Sequence, residues 1–281
     1  MEDIRPIVAS SPAPILRPGV LPGVTLLSAC YRAQRFSRHT HDGYALGVIE
    51  AGALGFDYRG AHVVAPAGAV NLVVPGEPHD GHAAAAGGWR YRMFYFTPDV
   101  FCEAAAQMAD GPRDLPWFSS GVLRDDALAA MVLETHGCLS DPETSLLERQ
   151  SRLLALVTTF IRRHADDRPP EKTVGQEIGP LARVRDAIHA RCGEVVSLDE
   201  LARVSGLSPY HLIRAFYRAF GLTPHAYLIQ TRVSAARRRI EAGMPLSAAA
   251  LESGFCDQSH LNRHFRRIVG LSPGQYRNFV Q

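Results

Sequence analysis

The last third of the chain repeats itself. One copy, Leu201 to Tyr227, is LARVSGLSPYHLIRAFYRAFGLTPHAY; the other, Ala249 to Tyr276, is AALESGFCDQSHLNRHFRRIVGLSPGQY. Gly206 maps onto Gly254 with an offset of 48, and Gly221 onto Gly270 with an offset of 49, so one residue is inserted at the turn. Both copies end L-x-R-x-F-x-x-x-x-G-L-S/T-P-x-x-Y. So many matches at fixed offsets mean one supersecondary unit used twice. Whatever this segment folds into must contain two equivalent substructures.

Each copy spells out a pair of short helices. Ser197 can cap a first helix, with Glu200 three residues on to close a capping box. Gly206 supplies the positive φ of a tight turn. Ser208 caps a second helix with Pro209 at its first position, where no N–H donor is needed. Leu212, Ala215, Phe216 and Ala219 share one side of that helix; Tyr210, Ile213, Arg214 and Tyr217 share the other. Gly221 ends it, and Thr223-Pro224 restarts the chain as a long helix. In the second copy Leu246, Ala249 and Ala250 face inward, Gly254 turns, and Asp257 caps a helix with Leu261, Phe265 and Ile268 inside. Ser259, His260, Arg263 and Arg266 lie outside. Two helices joined by a glycine turn, the second with an arginine-bearing outer face, form a helix-turn-helix. Arginine can bond guanine bidentately, and tyrosine and histidine add contacts. These outer faces therefore suit base reading. Arg218, Arg237, Arg238, Arg266, Arg267 and Arg277 are placed for phosphates.

Charge supports this division. The whole chain has 30 Lys+Arg and 28 Asp+Glu, but from Pro180 onward there are 14 arginines, no lysine and 7 acidic residues. A basic end on an acidic body implies that one end meets a polyanion. Hydrophobic residues make up 46% and charged residues 21% of the 281 positions, a globular composition that excludes wholesale disorder. No apolar run is long enough for a membrane span. The N-terminus lacks a signal-peptide core, and five scattered cysteines without a CxxC fit reduced thiols in a cytoplasm.

The first half has a different grammar. Ser10–Pro22 is proline-rich and is expected as an extended arm. Ser28–Phe96 alternates short strands with glycine and proline turns, as in Tyr44–Gly52, Ala69–Gly76 and Trp89–Phe96, which predicts an all-β barrel or sandwich. Helices follow at Asp126–Leu139 and Thr144–His164. The stripe Leu146, Leu147, Leu153, Leu154, Val157, Phe160 and Ile161 serves either packing onto the barrel or self-association. The predicted class is α+β in two domains: residues 1–165 a barrel with its own trailing helices, 166–180 a linker, and 181–281 an all-helical domain.

The C-terminal segment resembles the DNA-binding domain of the AraC/XylS family of bacterial transcription regulators. The resemblance rests on GFCDQSHLNRHFRRIVGLSPGQYR (Gly254–Arg277) and SLDELARVSGLSPYHLIRAFYRAFGLTPHAYL (Ser197–Leu228). HTHDGYALGVIEAG (His39–Gly52), PGEPH (Pro75–His79) and WRYRMFYF are similar to that family's cupin-type effector and dimerisation domain. The resemblance implies a non-enzymatic regulator, most often an activator. It implies promoter DNA, a small-molecule effector and a homodimer as partners, contact with RNA polymerase, and no cofactor. By position the resemblance implies Tyr210, Ile213 and Arg214 as base readers in the first copy and Gln258, Ser259, His260 and Arg263 in the second; isoleucine at 213 and histidine at 260 depart from the family's commoner polar choices. The sugar-holding positions of arabinose-responsive members fall near Ala51, Gly81 and Met93, which excludes arabinose.

His39, His41, Tyr44, His79, Trp89, Tyr91 and Met93 are the expected effector contacts. With His39 and His41 inward, Ala45, Gly47, Ile49 and Ala51 share their face and leave space. Trp89, Tyr91, Met93 and Tyr95 would line an aromatic wall. His39, His41 and His79 also have the composition of a divalent-metal site. The carboxylate of enzymatic cupins is missing near Tyr44–Leu46, however, and a polar residue is missing at Ala83. The three histidines are thus open to a structural, an effector-binding or a metal-binding role. The alternative function is a metal-binding cupin enzyme or metal sensor fused to a DNA-binding domain.

Overall fold

The computed structural model describes residues 15–170 and 177–280. Contacts gather these into two compact units. One holds the chain through Pro142 together with the stretch from Arg152; the other holds Glu143–Ser151 together with the C-terminal helices. The nine residues Glu143–Ser151 thus depart from the linear partition at 165.

The first unit is a barrel of two sheets. β1 (Ile15–Leu16), β2 (Val24–Tyr31), β8 (Trp89–Phe96), β4 (Tyr44–Tyr58), β6 (Val70–Val73) and β9 (Val122–Leu123) form one sheet in that order. β3 (Arg35–His39), β7 (His79–Ala83) and β5 (Ala61–Pro66) join the far half of β4 to form the other. β4 serves both sheets because it bends at Gly52, just after a register shift between Ile49 and Ala51. Gly52 has φ 72°, and a Cβ there would lie 1.9 Å from the Gly88 carbonyl oxygen, so only glycine lets the two backbones approach. Part of the expected arm lies outside the described residues. Ile15–Leu16 is not a loose extension but pairs antiparallel with Leu26–Leu27 of β2.

Alternation divides the barrel's apolar residues between two cores. Ala45, Ile49, Trp89, Tyr91 and Met93 face the interior between the sheets. Tyr44, Leu46, Phe94 and Phe96 face outward, and helices cover them: α1 (Pro98–Ala109), α2 (Asp126–Ser140) and α3 (Leu146–His164). Phe101 stacks on Tyr44 at 4.0 Å, and Phe160 stacks on Phe118 at 4.5 Å between ring centroids. Leu147, Val157, Phe160 and Ile161 of the α3 stripe are buried within the chain, and Leu146 and Leu154 are half-exposed. The five cysteines are free, and no helix among the described residues is long and apolar enough to cross a membrane.

The second unit is all-helical: α4 (Ile178–Ala190), α5 (Leu198–Ser205), α6 (Pro209–Phe220), α7 (Pro224–Glu241), α8 (Leu246–Glu252), α9 (Gln258–Val269) and α10 (Pro273–Val280). The caps fall where the sequence places them. Ser197 and Glu200 make the capping box, and Ser208, Thr223 and Asp257 each accept a backbone N–H. Gly206, Gly221 and Gly270 end their helices with positive φ. Leu212, Ala215 and Phe216 are buried in the first copy, as are Leu261 and Phe265 in the second. Ala219 and Ile268, expected inside, are exposed. They are equivalent positions, 49 apart, and both lie in the last turn of their helix, beyond the packed side.

The long helix α7 carries a buried arginine. Arg232 Nε donates to the Cys192 carbonyl at 2.6 Å, and a terminal nitrogen donates to the Glu194 carbonyl at 2.7 Å. Gly254, with φ 86°, passes so close that a Cβ would meet Arg232 Nε and the Cys192 carbonyl oxygen, each at 2.8 Å. Gly206 has a similar φ of 75° but open space around it. Both Gly→Ala changes therefore carry left-handed strain of about 1–2 kcal/mol, and Gly254→Ala adds a clash that brings its cost above 2 kcal/mol. Urea unfolding of the full chain, followed by circular dichroism, should rank Gly254→Ala well below Gly206→Ala. Equal costs would deny the Arg232 contact.

A buried histidine gives the barrel a pH dependence. His136 of α2 packs edge-on against Phe94 at 5.3 Å, and burial, with Arg92's charge adding, pushes its pKa down from 6.5 to about 4. An unfolded chain would take this proton near 6.5, so the contribution is intact above that pH and is lost as pH falls toward 4. His136→Leu should lose less stability than the wild type between pH 7 and pH 5. Identical losses would contradict the assignment.

Candidate DNA-reading helices and barrel pocket

The two copies present comparable faces. On α6, Ile213 and Arg214 are half-exposed, and Tyr217 and Arg218 are exposed. On α9, Gln258, Ser259, Arg263, Arg266 and Arg267 are exposed and Asn262 is half-exposed. The 49-residue offset equates Ile213 with Asn262, Arg214 with Arg263, Tyr217 with Arg266 and Arg218 with Arg267. The same spots on both helices are thus open to a ligand, and all four on α9 are cationic or amide-bearing. Asn262 follows Gln258 by one helical turn and shares its open face. The offset already marked it through Ile213.

Two expected readers are turned inward. Tyr210 is 8% exposed, with the Arg214 guanidinium over its ring at 5.3 Å. His260 is 7% exposed, packs edge-on against Phe255 at 5.3 Å, and accepts the Cys256 N–H on Nδ1 at 3.4 Å. Its equivalent is His211, also buried, whose Nε2 lies 2.6 Å from Glu177. The duplication thus assigns His260 to the packed side, where the helical-face reading put it outside. Burial lowers the pKa of His260 and, with His260 and His225 nearby, holds that of His264 at about 4. Neither adds charge to the reading face at neutral pH.

The flanking arginines divide into two groups. Arg238 is exposed and Arg277 half-exposed. Arg237 is held in place: it donates to the Tyr276 hydroxyl at 3.1 and 3.3 Å, and that hydroxyl donates to Glu241. Arg239, on the same turn, pairs with Glu252 at 3.4 Å. Arg237 braces α10 against α7 and is a poor choice for an uncommitted phosphate contact.

In the barrel, His39, His41 and His79 converge. The sheet register pairs His39 of β3 directly with His79 of β7. The Gly76 N–H donates to the His41 carbonyl at 2.8 Å and pins the strand exit beside the start of β7. Ring centroids are 4.4 Å apart for His39–His79 and 4.8 Å for each pair with His41. Burial and the neighbouring His79 and His39 press the His41 pKa down to about 4, and burial lowers that of His79. Trp89, Tyr91, Met93, Tyr95 and Asn71 line the same pocket, whose volume is about 90 Å³. That is room for about three waters and far below the 300 Å³ or more of an ordinary ligand pocket. Asn71 Oδ1 and Trp89 Nε1 are buried with no hydrogen-bond partner among the described residues, which a polar ligand would supply. A more open hollow of about 450 Å³ adjoins it at His41 and Tyr95 and is bordered by Arg17–Thr25 and Thr97.

Two pocket expectations change. Tyr44 points away from the histidines: it is fully buried on the helix-covered side, and its hydroxyl donates to the Pro116 carbonyl. Adjacent strand residues face opposite ways, so Tyr44 and Ala45 cannot share the interior. Gly47 leaves no space, because the Met93 sulfur fills it; a Cβ would sit 2.1 Å from Sδ. The nearby carboxylates are already committed: Glu50 to Arg90 and Arg92, Glu77 to Arg59, and Asp80 to the Asp57 N–H.

Residues 21–157 match a family model described as the AraC-like ligand binding domain, and residues 201–278 match a helix-turn-helix domain. The chain is 32% identical over 228 residues to the uncharacterized HTH-type transcriptional regulator YbfI of Bacillus subtilis (strain 168), spanning 81% of this chain and 82% of that protein. It is 28% identical over 156 residues to the probable transcriptional regulator LumQ of Photobacterium leiognathi, across 49% of this chain and 63% of the relative. Among solved structures it resembles the DNA-binding domain of AdpA, a global transcriptional factor in complex with a target DNA. That match has 32% identity, covers 36% of this chain and 91% of that one, and has a TM-score of 0.34.

Proposed function

We propose that this chain, which belongs to the AraC family of transcriptional regulators, activates transcription by reading promoter DNA with α6 and α9 under the control of an effector held in its barrel. One observation carries the reading: the duplication gives α6 and α9 the same exposed positions, with Arg214 and Arg263 at the centre of each. Ile213, Arg214, Gln258, Ser259, Asn262 and Arg263 contact base edges; Arg218, Arg238, Arg266, Arg267 and Arg277 contact phosphates. The effector occupies the histidine pocket and the hollow beside it, with Trp89, Tyr91 and Met93 as its wall. Its preference for one arrangement of the protein over another sets the size of the response. The regulator works in the cytoplasm as a homodimer and meets RNA polymerase at the promoter. This reading makes the chain a regulator and not an enzyme.

DNA selected from a random-sequence pool by the full chain tests it. On the selected site, Arg214→Ala and Arg263→Ala should each weaken binding by about 1–3 kcal/mol and relax sequence preference at a few positions. Arg238→Ala should weaken binding to all sequences alike and reduce the slope of log K against log salt by about 1. Full affinity and unchanged preference in both reading-face variants would contradict the assignment.

A further inference from the structure

We propose that His39, His41 and His79 bind one divalent late-transition-metal ion of the zinc class, and that this ion anchors the barrel's effector. The inference rests on the reading of the barrel as a sensor and specifies the chemistry of its site. The three imidazoles each offer one ring nitrogen, and these nitrogens lie within 4.8 Å of one another. A tetrahedral ion with bonds of 2.0–2.1 Å would hold them about 3.4 Å apart, a closure of at most about 1.4 Å.

The hydrogen bonds around the rings favour metal over a purely structural cluster. His39 Nδ1 lies 2.8 Å from the Ser37 carbonyl, and His79 Nδ1 lies 3.0 Å from the Glu77 carbonyl. A carbonyl only accepts, so in both rings Nδ1 carries a proton, which in the neutral ring leaves the lone pair on Nε2. A backbone carbonyl behind each ring is the second-sphere arrangement that orients a ligating histidine. The backbone fixes the convergence as well, through the His39–His79 register pair and the Gly76 bond to His41. His62 and His82 make the contrast. They stack nearly parallel at 5.3 Å, and His62 is tied to Asp57, so they converge on nothing.

No carboxylate completes the set, because Asp80 is engaged with the Asp57 backbone. Three neutral nitrogens leave a coordination position open toward Asn71, Trp89 and Tyr95, where a water or an oxygen or nitrogen donor of the effector can bind. A pocket of about 90 Å³ holds an ion and its remaining donors, and the adjoining hollow of about 450 Å³ takes the body of the effector.

The test uses the full chain stripped with a chelator, titrated with Co²⁺ and followed by visible absorption, with Zn²⁺ retention after desalting measured by mass spectrometry. The expected result is one ion per chain. His39→Ala, at the exposed end of its strand, should bind at least about 100-fold more weakly with unaltered metal-free melting, and His41→Ala should do likewise. His82→Ala should bind as the wild type does. No retained metal in the wild type, or retention unaffected by His39→Ala and His41→Ala, would overturn the proposal. The same stripped protein is assayed on its selected DNA. Intact DNA binding without metal binding removes the metal site alone; absent DNA binding in every form removes the regulator reading on which it rests.

Discussion

Arg232 occupies the point where the three parts of the helical unit meet. Its guanidinium caps the carbonyls of Cys192 and Glu194, which belong to the turn between α4 and α5. Its helix, α7, joins the first helix-turn-helix to the second, and the turn of the second copy passes over it at Gly254. Burying a cation costs several kcal/mol unless its hydrogen bonds are replaced, and here backbone carbonyls replace them. The result is directional. A hydrophobic residue could fill the volume, but it would not fix the first turn, the linker helix and the second turn in one register. Two helices that are to engage one duplex together need that rigidity, because a flexible joint would lose the gain of binding both at once.

The barrel solves its positioning problem with backbone. One strand, β4, contributes to both sheets by bending at Gly52, and the two sheets then enclose Trp89, Tyr91 and Met93. The histidine cluster sits where β3 ends beside β7, on strands whose register is already set. Side chains placed in this way need little reorganisation to take a ligand. The unpaired Asn71 and Trp89 atoms are the complement of that rigidity: polar groups kept buried without partners.

Much of this was legible in the residues. The capping serines, Asp257 and the glycine stops mark the ends of α5, α6 and α9 through local chemistry, and the structure places them there. The strands follow from alternation and turn spacing, and the convergence of the three histidines is what the resemblance to cupin-type domains implies. What escaped is tertiary. Tyr210 and His260 share a helical face with true surface residues, and only contact with neighbours, such as Phe255 against His260, turns them inward. Comparison of the copies would have caught His260, since its equivalent is His211. Gly47 promised space that Met93 fills from another strand. Arg232 looked like one more basic residue among the arginines of α7, because helical periodicity does not register which arginine a turn 40 residues away will claim.

The central claim is that one chain reads DNA twice, with α6 and α9 on a common linker helix. Methylation interference with the full chain on its selected site measures this directly. Two clusters of major-groove guanines on one face of the duplex, about one helical turn or 10 base pairs apart, are predicted for each chain bound. A single cluster that survives with either copy's arginine removed, or interference spread evenly along the duplex, would contradict the account.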